Sequence, residues 1–440
     1  MVYAGRFKSF AVKEHWKSNV APPEETARGR ASQMLTMTYI GVILFCVLYF
    51  FRPADFIPGL AIVPLAKFTG AIAFCSLILA LLGGEVRFDA EIKLITALFG
   101  WFVLTIPFSL WRGGSLETCV EFSKVLVVAV AAIVSVNSLK RLRRLMIIQT
   151  FAMILVAVLG FGQARVVGRM FGAGHQFSDP NDLALNLCVI LPFCAAMLLS
   201  TRNVAMKFFW TAVVLATIVL IALTESRGGF LAVLVVLIAM WRRFRLSGST
   251  KIMAAAVLSI AIIAGLALVG PSAYFGRMHT IMNPDEDKGG SAQSRRAILI
   301  ESLHLTITHP LFGVGPGQFT EVSGFWHVTH NTYTQFSSET GFPGIVLFIL
   351  LLRRTFKNLK VDKNAVKTQA WYVTNALYCG MAGYIVGAFF LSTTYWLMPY
   401  LMVAYSVAAR NIMSEPLLNN IADQRVGIAN NMPPFFKVAR

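Results

Sequence analysis

Charged side chains are scarce in this chain of 440 residues. Asp, Glu, Lys and Arg make up 14% of it, where soluble proteins carry about a quarter. No polar stretch is long enough to form a soluble domain of its own. The strict alternation of apolar and polar residues that marks a membrane β-barrel is missing. The six cysteines show neither metal-ligand spacing nor a disulfide framework. Cys46, Cys75, Cys188, Cys194 and Cys379 fall in apolar runs, and Cys119 is expected near an outer surface. The first apolar run carries no convincing cleavage site, so residues 1–34 read as a cytoplasmic tail ahead of a signal anchor. There is no internal repeat and no inverted pair of broken helices, which weakens a secondary-transporter reading.

Apolar sequence, by contrast, is abundant at 56%. Runs long enough for a hydrocarbon core of ~30 Å recur along nearly the whole chain. They predict about twelve crossings, at roughly 35–51, 60–83, 92–110, 122–137, 145–163, 183–200, 207–223, 229–241, 252–269, 333–352, 370–391 and 394–409. A backbone in lipid must satisfy its own hydrogen bonds, so each is expected to be a helix. The predicted fold is an all-α integral membrane protein. It runs from the N-terminal tail (1–34) through helices 1–9 of a bundle (35–269) to a long periplasmic loop (about 270–332) containing a short helix. Helices 10–12 (333–409) and a cytoplasmic C-terminal tail (410–440) follow.

Lys and Arg outnumber Asp and Glu by 39 to 21. With both termini inside, the clusters "KRLRR" (140–144), "RRFR" (242–245) and "RRTFKNLK" (353–360) all face the cytoplasm. That is the positive-inside rule, and it fixes the expected orientation of the chain in its membrane. The basic excess reflects topology and anionic inner-leaflet lipid, with no nucleic-acid partner implied.

Two outer segments are long, 164–182 and 270–332. Within the second, "SAQSRRAILIESLHLTITHP" predicts a helix of about four turns ending at Pro310. Its apolar positions Ile298, Leu299, Leu303 and Ile307 suit either the membrane surface or the bundle. "LFGVGPGQF" (311–319) lacks the Lys-Ser/Thr ending of a phosphate loop and reads as a tight turn needing flexible backbone. "NPDEDKGG" (283–290) carries Asp285 and Asp287 at a spacing some transferases use for a divalent metal, but a solvated acidic turn is the simpler reading.

Arginines on the outer side run against the positive-inside preference. Arg227 sits in "LTESRGGFLAV", a short hairpin in which Glu225 is close enough in sequence to pair with it. Arg295 and Arg296 open the outer helix, where a cation gains nothing from the helix dipole. Arg165 and Arg169 flank the other long segment. Singly, each reads as an arginine snorkelling to lipid phosphate. Together they suit a multiply charged anion at the membrane surface, because the guanidinium fork binds phosphate bidentately and keeps its charge. His330, in "THNTYTQFSSETGFPG" (329–344), adds a group able to take a proton near neutral pH, or else only caps the following helix. Asn331 and Thr332 are candidate caps that would free it, and His327 and His309 are competitors for its role.

The series "ESRGGFLAV" (225–233), "SAQSRRAIL" (291–299), "HPLFGVGPGQF" (309–319) and "HNTYTQFSSETGFPG" (330–344) resembles the O-antigen ligase and Wzy-type polymerase superfamily. Its members are membrane glycosyltransferases that use polyprenyl-diphosphate-linked glycans. "HQFSDPNDLAL" (175–185) also resembles that family's loop ahead of a span. The resemblance implies transfer on the periplasmic face with neither metal nor cofactor. It implies a donor diphosphate bound by Arg227 and by Arg295, with Arg296 the alternative if the register shifts by one, and His330 matches the presumed base. Arg169, from its outer position, is a further candidate for the diphosphate, and Glu225, Asn331, Gln335 and Glu339 are expected to support the site. The doubled arginine and the "DPND" loop depart from the usual pattern.

The expected activity is therefore transfer of a glycan from undecaprenyl diphosphate to an acceptor hydroxyl, by inversion at the anomeric carbon. The acceptor is lipid A core, a glycan repeat or a protein, so ligase-type transfer stands beside polymerisation and protein glycosylation. A lipid-linked glycan transporter is the rival of another class. It would place ionisable groups within spans near the midplane, whereas here Lys67 is the main such exception.

Overall fold

The computed structural model describes residues 23–53, 57, 59–60, 65–82, 89–167, 170–173, 177, 179–280, 283, 291–325, 327–362 and 365–431. Arg169, Asp285 and Asp287 lie outside these, as do the side chains of Arg165 and Lys67. Each apolar run becomes a helix, as a lipid environment demands. In chain order these are α1 (Pro23–Phe51), α2 (Leu65–Leu82), α3 (Ala90–Thr105), α4 (Arg112–Ser135), α5 (Leu139–Val167), α6 (Pro180–Ser200), α7 (Val204–Leu223), α8 (Arg227–Arg243) and α9 (Gly248–Val269). Next come α10 (Pro271–His279), α11 (Ser291–Thr308), α12 (Phe319–Val322), α13 (Thr332–Asn358), α14 (Gln369–Gly387) and α15 (Leu397–Asn431). No strand occurs among the described residues.

Among the described residues, eight helices are long and apolar enough to cross a membrane: those of α1, α3, α4, α5, α6, α7, α9 and α13. The other four expected crossings coincide with α2, α8, α14 and α15. Sequence reasoning anticipated one helix between α9 and α13, and the structure adds α10 and α12 on either side of it. Cys119 is buried inside α4, which starts at Arg112 and not near 122.

Burial sorts the helices. α6 is buried from Leu183 to Met197, packed against α14, α7 and α8. α9 is the opposite case. It buries Ala261 and Gly265 while Ile252, Met253, Ile260, Ile262 and Ile263 face outward, as suits a helix against lipid. It meets α7 where Gly265 lies close to Ala222, a small-residue contact that lets backbones approach.

A charged clamp closes the opposite end of the bundle from the outer segment. Glu91, fully buried in the first turn of α3, receives Arg354 of α13 at 3.2 Å and Arg410 of α15 at 3.3 Å. Arg410 also holds Asp89 at 2.8 Å, and the Asn358 amide donates to Glu91 at 3.0 Å. Every charge there is paired, which is what makes burial of a carboxylate tolerable.

Helix α13 is kinked, and the kink organises the side where α10 to α12 lie. Gly341 takes φ 71 and ψ −177, and Pro343 follows with no N–H to donate. The carbonyls of Ser338 and Glu339 lose their helical partners and accept instead from Val314 N (2.8 Å) and Gly315 N (3.0 Å). The Thr340 carbonyl accepts from the Trp101 indole at 2.8 Å, and Phe342 N donates to Pro310 O at 2.7 Å. The glycine-rich turn is thus a backbone graft onto the kink, with Gly313, Gly315 and Gly317 all at positive φ. This is a structural turn of the kind that permissive backbone allows.

Candidate functional site

Three helix N-termini meet on the side where α10 to α12 lie, and their caps explain why. Asp179 caps α6 by accepting from Asn181 N at 2.7 Å. Ser226 caps α8 by accepting from Gly229 N at 3.0 Å. The Ser226 hydroxyl also donates to the Asn181 side chain at 2.6 Å, and the Asn181 amide reaches Asp179 at 2.7 Å, so α6 and α8 begin together. Asn331 caps α13, accepting from Tyr333 N (2.9 Å) and Thr334 N (3.2 Å). Each cap satisfies donors that a helix start leaves over.

Because Asn331 does the capping, His330 is left for another role. Its backbone is left-handed, at φ 50. Both flanks are pinned to the turn after α14. Thr329 pairs with the Ser392 hydroxyl at 2.8 Å, and Thr332 donates to Leu391 O at 2.6 Å while its N–H donates to Ala388 O at 2.8 Å. A strained residue persists only where its surroundings over-determine it, and these bonds do so. The half-buried His330 imidazole has its pKa pushed down, first by burial and then by the charge of Arg295. Asp179 acts in the opposite direction, and His327 adds to the lowering. The ring is therefore neutral near neutral pH, the form that accepts a proton.

Arg295 and Arg296 are separated by the rotation of α11. Ile298 and Leu305 are buried in a small cluster with Val314 and Phe319, and Thr306 shares a 2.8 Å hydrogen bond with Ser337 of α13. Arg295, three residues before Ile298, shares that inward face and is half-buried, whereas Arg296 is exposed. The charge of Arg295 bears on His330 and also on Asp182. Of the apolar positions singled out in α11, Ile298 is the buried one, and Leu299, Leu303 and Ile307 face outward.

Arg227 opens α8 directly after the Ser226 cap and donates to the Thr280 hydroxyl at 2.8 Å. Its neighbour Glu225 has left-handed backbone at φ 48, and its charge bears on Tyr274 of α10, whose pKa burial and Glu225 both raise. Gln335 and Glu339 lie further along α13 and are buried there. Among the described residues, the Gln335 amide oxygen has no partner. Glu339 accepts from the Tyr395 hydroxyl at 2.5 Å and from Gly317 N at 3.1 Å, so it holds the glycine-rich turn in place.

The structure therefore brings His330 and Arg295 together with Asp179 and Asp182, and ties Arg227 to them through Ser226, Asn181 and Asp179. Sequence reasoning gave the two aspartates no role. Their signal was an acidic pair at the very start of an apolar run in "DPND", where a plain anchor has no use for it. Among the described residues, no group of three or more His, Cys, Asp or Glu is arranged to hold a metal ion.

No curated protein matches the chain. Residues 210–349 of this multi-pass membrane protein match the family model described as O-Antigen ligase, a segment that contains Arg227, Arg295 and His330 and is consistent with the O-antigen ligase and Wzy superfamily.

Proposed function

We propose that the chain transfers a glycan from a polyprenyl-diphosphate carrier, undecaprenyl diphosphate in bacteria, to an acceptor hydroxyl at the periplasmic face of the inner membrane, with both termini cytoplasmic. The observation that carries this reading is the half-buried His330, held in left-handed backbone with Arg295 near enough for its charge to bear on the ring. In the step, the acceptor oxygen attacks the anomeric carbon as its proton passes to the imidazole. The bond from that carbon to the diphosphate breaks, and its electron pair leaves with the diphosphate. A single displacement of this kind inverts the anomeric carbon. Charge grows on the leaving group, so the fixed guanidiniums of Arg295 and Arg227 stabilise the transition state more than the ground state. The N-termini of α6, α8 and α13 add donors of the same polarity. A positioned base contributes about 10²–10⁴-fold.

Ligase-type transfer, one glycan per acceptor, is the reading adopted. The test uses purified protein and a synthetic lipid-diphosphate glycan. His330→Ala is expected to bind donor and lose transfer, while Arg227→Ala loses both. Full turnover by His330→Ala sinks the assignment of the base. A single product band supports ligation, and a ladder of repeats replaces it with polymerisation.

A further inference from the structure

A cavity of about 480 Å3 lies apart from the arginines. It opens between the start of α4 and α12, walled by Trp111, Glu117, Gln318, Glu321 and Tyr395. Its size falls in the range of small-molecule sites, about 300–1,000 Å3. Its chemistry is the reverse of the diphosphate side. Glu121 also lines it and is engaged by Lys124 in an exposed ion pair at 2.5 Å. Glu117 and Glu321 are exposed and, among the described residues, take part in no ion pair. Trp111 is 56% exposed. It leans over Gly114, where an added Cβ would come within 2.6 Å of the ring and 2.8 Å of the Gln318 amide nitrogen. Gln318 is 1% exposed, and among the described residues its amide oxygen has no hydrogen-bond partner. An orphaned buried acceptor at a cavity wall calls for a donor from outside.

We propose that this cavity is a subsite for uncharged, hydroxyl-rich sugar residues of the glycan substrate, an inference that rests on the glycan-transfer reading. Sugar hydroxyls are donors for the Glu117 and Glu321 carboxylates and for the Gln318 amide oxygen. The apolar face of a pyranose stacks on the Trp111 ring. The carboxylates repel phosphorylated or uronate sugars, which separates this site from the cationic one. Tyr395 and Gly317 line the cavity and both bond to Glu339, which lies roughly 10 Å along α13 from its first residue, Thr332, itself two residues past His330. The cavity therefore holds sugars remote from the reacting hydroxyl. Binding energy gathered there aligns the substrate for attack.

The test is an array of immobilised uncharged and anionic oligosaccharides probed with the full-length protein in detergent micelles. Capture of a subset of the uncharged glycans is expected. Trp111→Ala and the double variant Glu117→Gln/Glu321→Gln should each weaken it about tenfold. These side chains are exposed, and unfolding curves matching wild type establish that the variants are folded. Capture of no uncharged glycan, preference for anionic ones, or equal capture by the variants overturns the proposal. A captured glycan, added free to a transfer assay, should raise KM for the acceptor if acceptor sugars occupy the cavity, or for the donor if donor sugars do; a change in neither overturns it. The array requires no lipid diphosphate and no turnover. Wild-type protein that captures glycans without transferring them defeats the functional reading alone, and variants that transfer normally defeat the subsite alone.

Discussion

Arg295 bears on His330 strongly enough that, after burial, it is the largest influence lowering the imidazole pKa. Removing the cation leaves burial in place but favours the imidazolium, so the pKa rises. Catalysis that needs neutral imidazole is present above that pKa and is lost as pH falls through it. In Arg295→Gln, the acid limb of the kcat–pH profile should move to higher pH, while in Arg296→Gln it should stay. Equal shifts in both variants would show that the exposed Arg296 also reaches the ring.

Chelation is the second test. With Arg227 and Arg295 neutralising the leaving diphosphate, transfer should be unchanged by EDTA. Activity abolished by EDTA and restored by a divalent cation would transfer that role to Asp285 and Asp287.

At the other end of the bundle, Glu91 ties α3 to α13 and α15. Glu91→Ala leaves Arg354 and Arg410 without their buried partner. Breaking a fully buried pair costs about 3–5 kcal/mol. Arg354 and Arg410 keep 33% and 30% exposure, so the expected loss is nearer 2 kcal/mol, on the order of a weakened pair. Thermal unfolding in detergent reads it directly, and donor binding should survive at temperatures below the transition.

Gly341 supplies the fourth test. Its φ of 71 with ψ of −177 is open almost only to glycine, and a Cβ there would collide with the Leu311 carbonyl. Gly341→Ala should lose about 1–3 kcal/mol from backbone strain alone, before the collision is counted. It should also slacken the turn that Glu339 holds, giving faster proteolysis within 311–319. A variant as stable and as protected as wild type would contradict the kink's role.

Much of this was legible in the residues. The helices follow from apolar runs because lipid leaves a backbone no other way to satisfy its hydrogen bonds. The candidate residues Arg227, Arg295 and His330 stood out because the positive-inside reading assigns them to the side expected to be poor in cations. Even the Asn331 cap was recognisable from its place before an apolar helix.

Other features depended on contacts between residues distant in sequence. Arg295 and Arg296 are neighbours of equal charge, and only the packing of Ile298 and Leu305 on α13 and the glycine-rich turn turns one inward and the other out. Asp179 bears on His330, and Arg295 bears on both His330 and Asp182, although the three segments are far apart in sequence. Glu339 was a candidate to support the base, yet the kink at Gly341 commits it to Gly317 and Tyr395. Local sequence determined which groups were available and which of them flank the apolar helices. Their partners were decided by tertiary packing, because helix rotation and the pairing of helix ends depend on long-range contacts that no local pattern encodes.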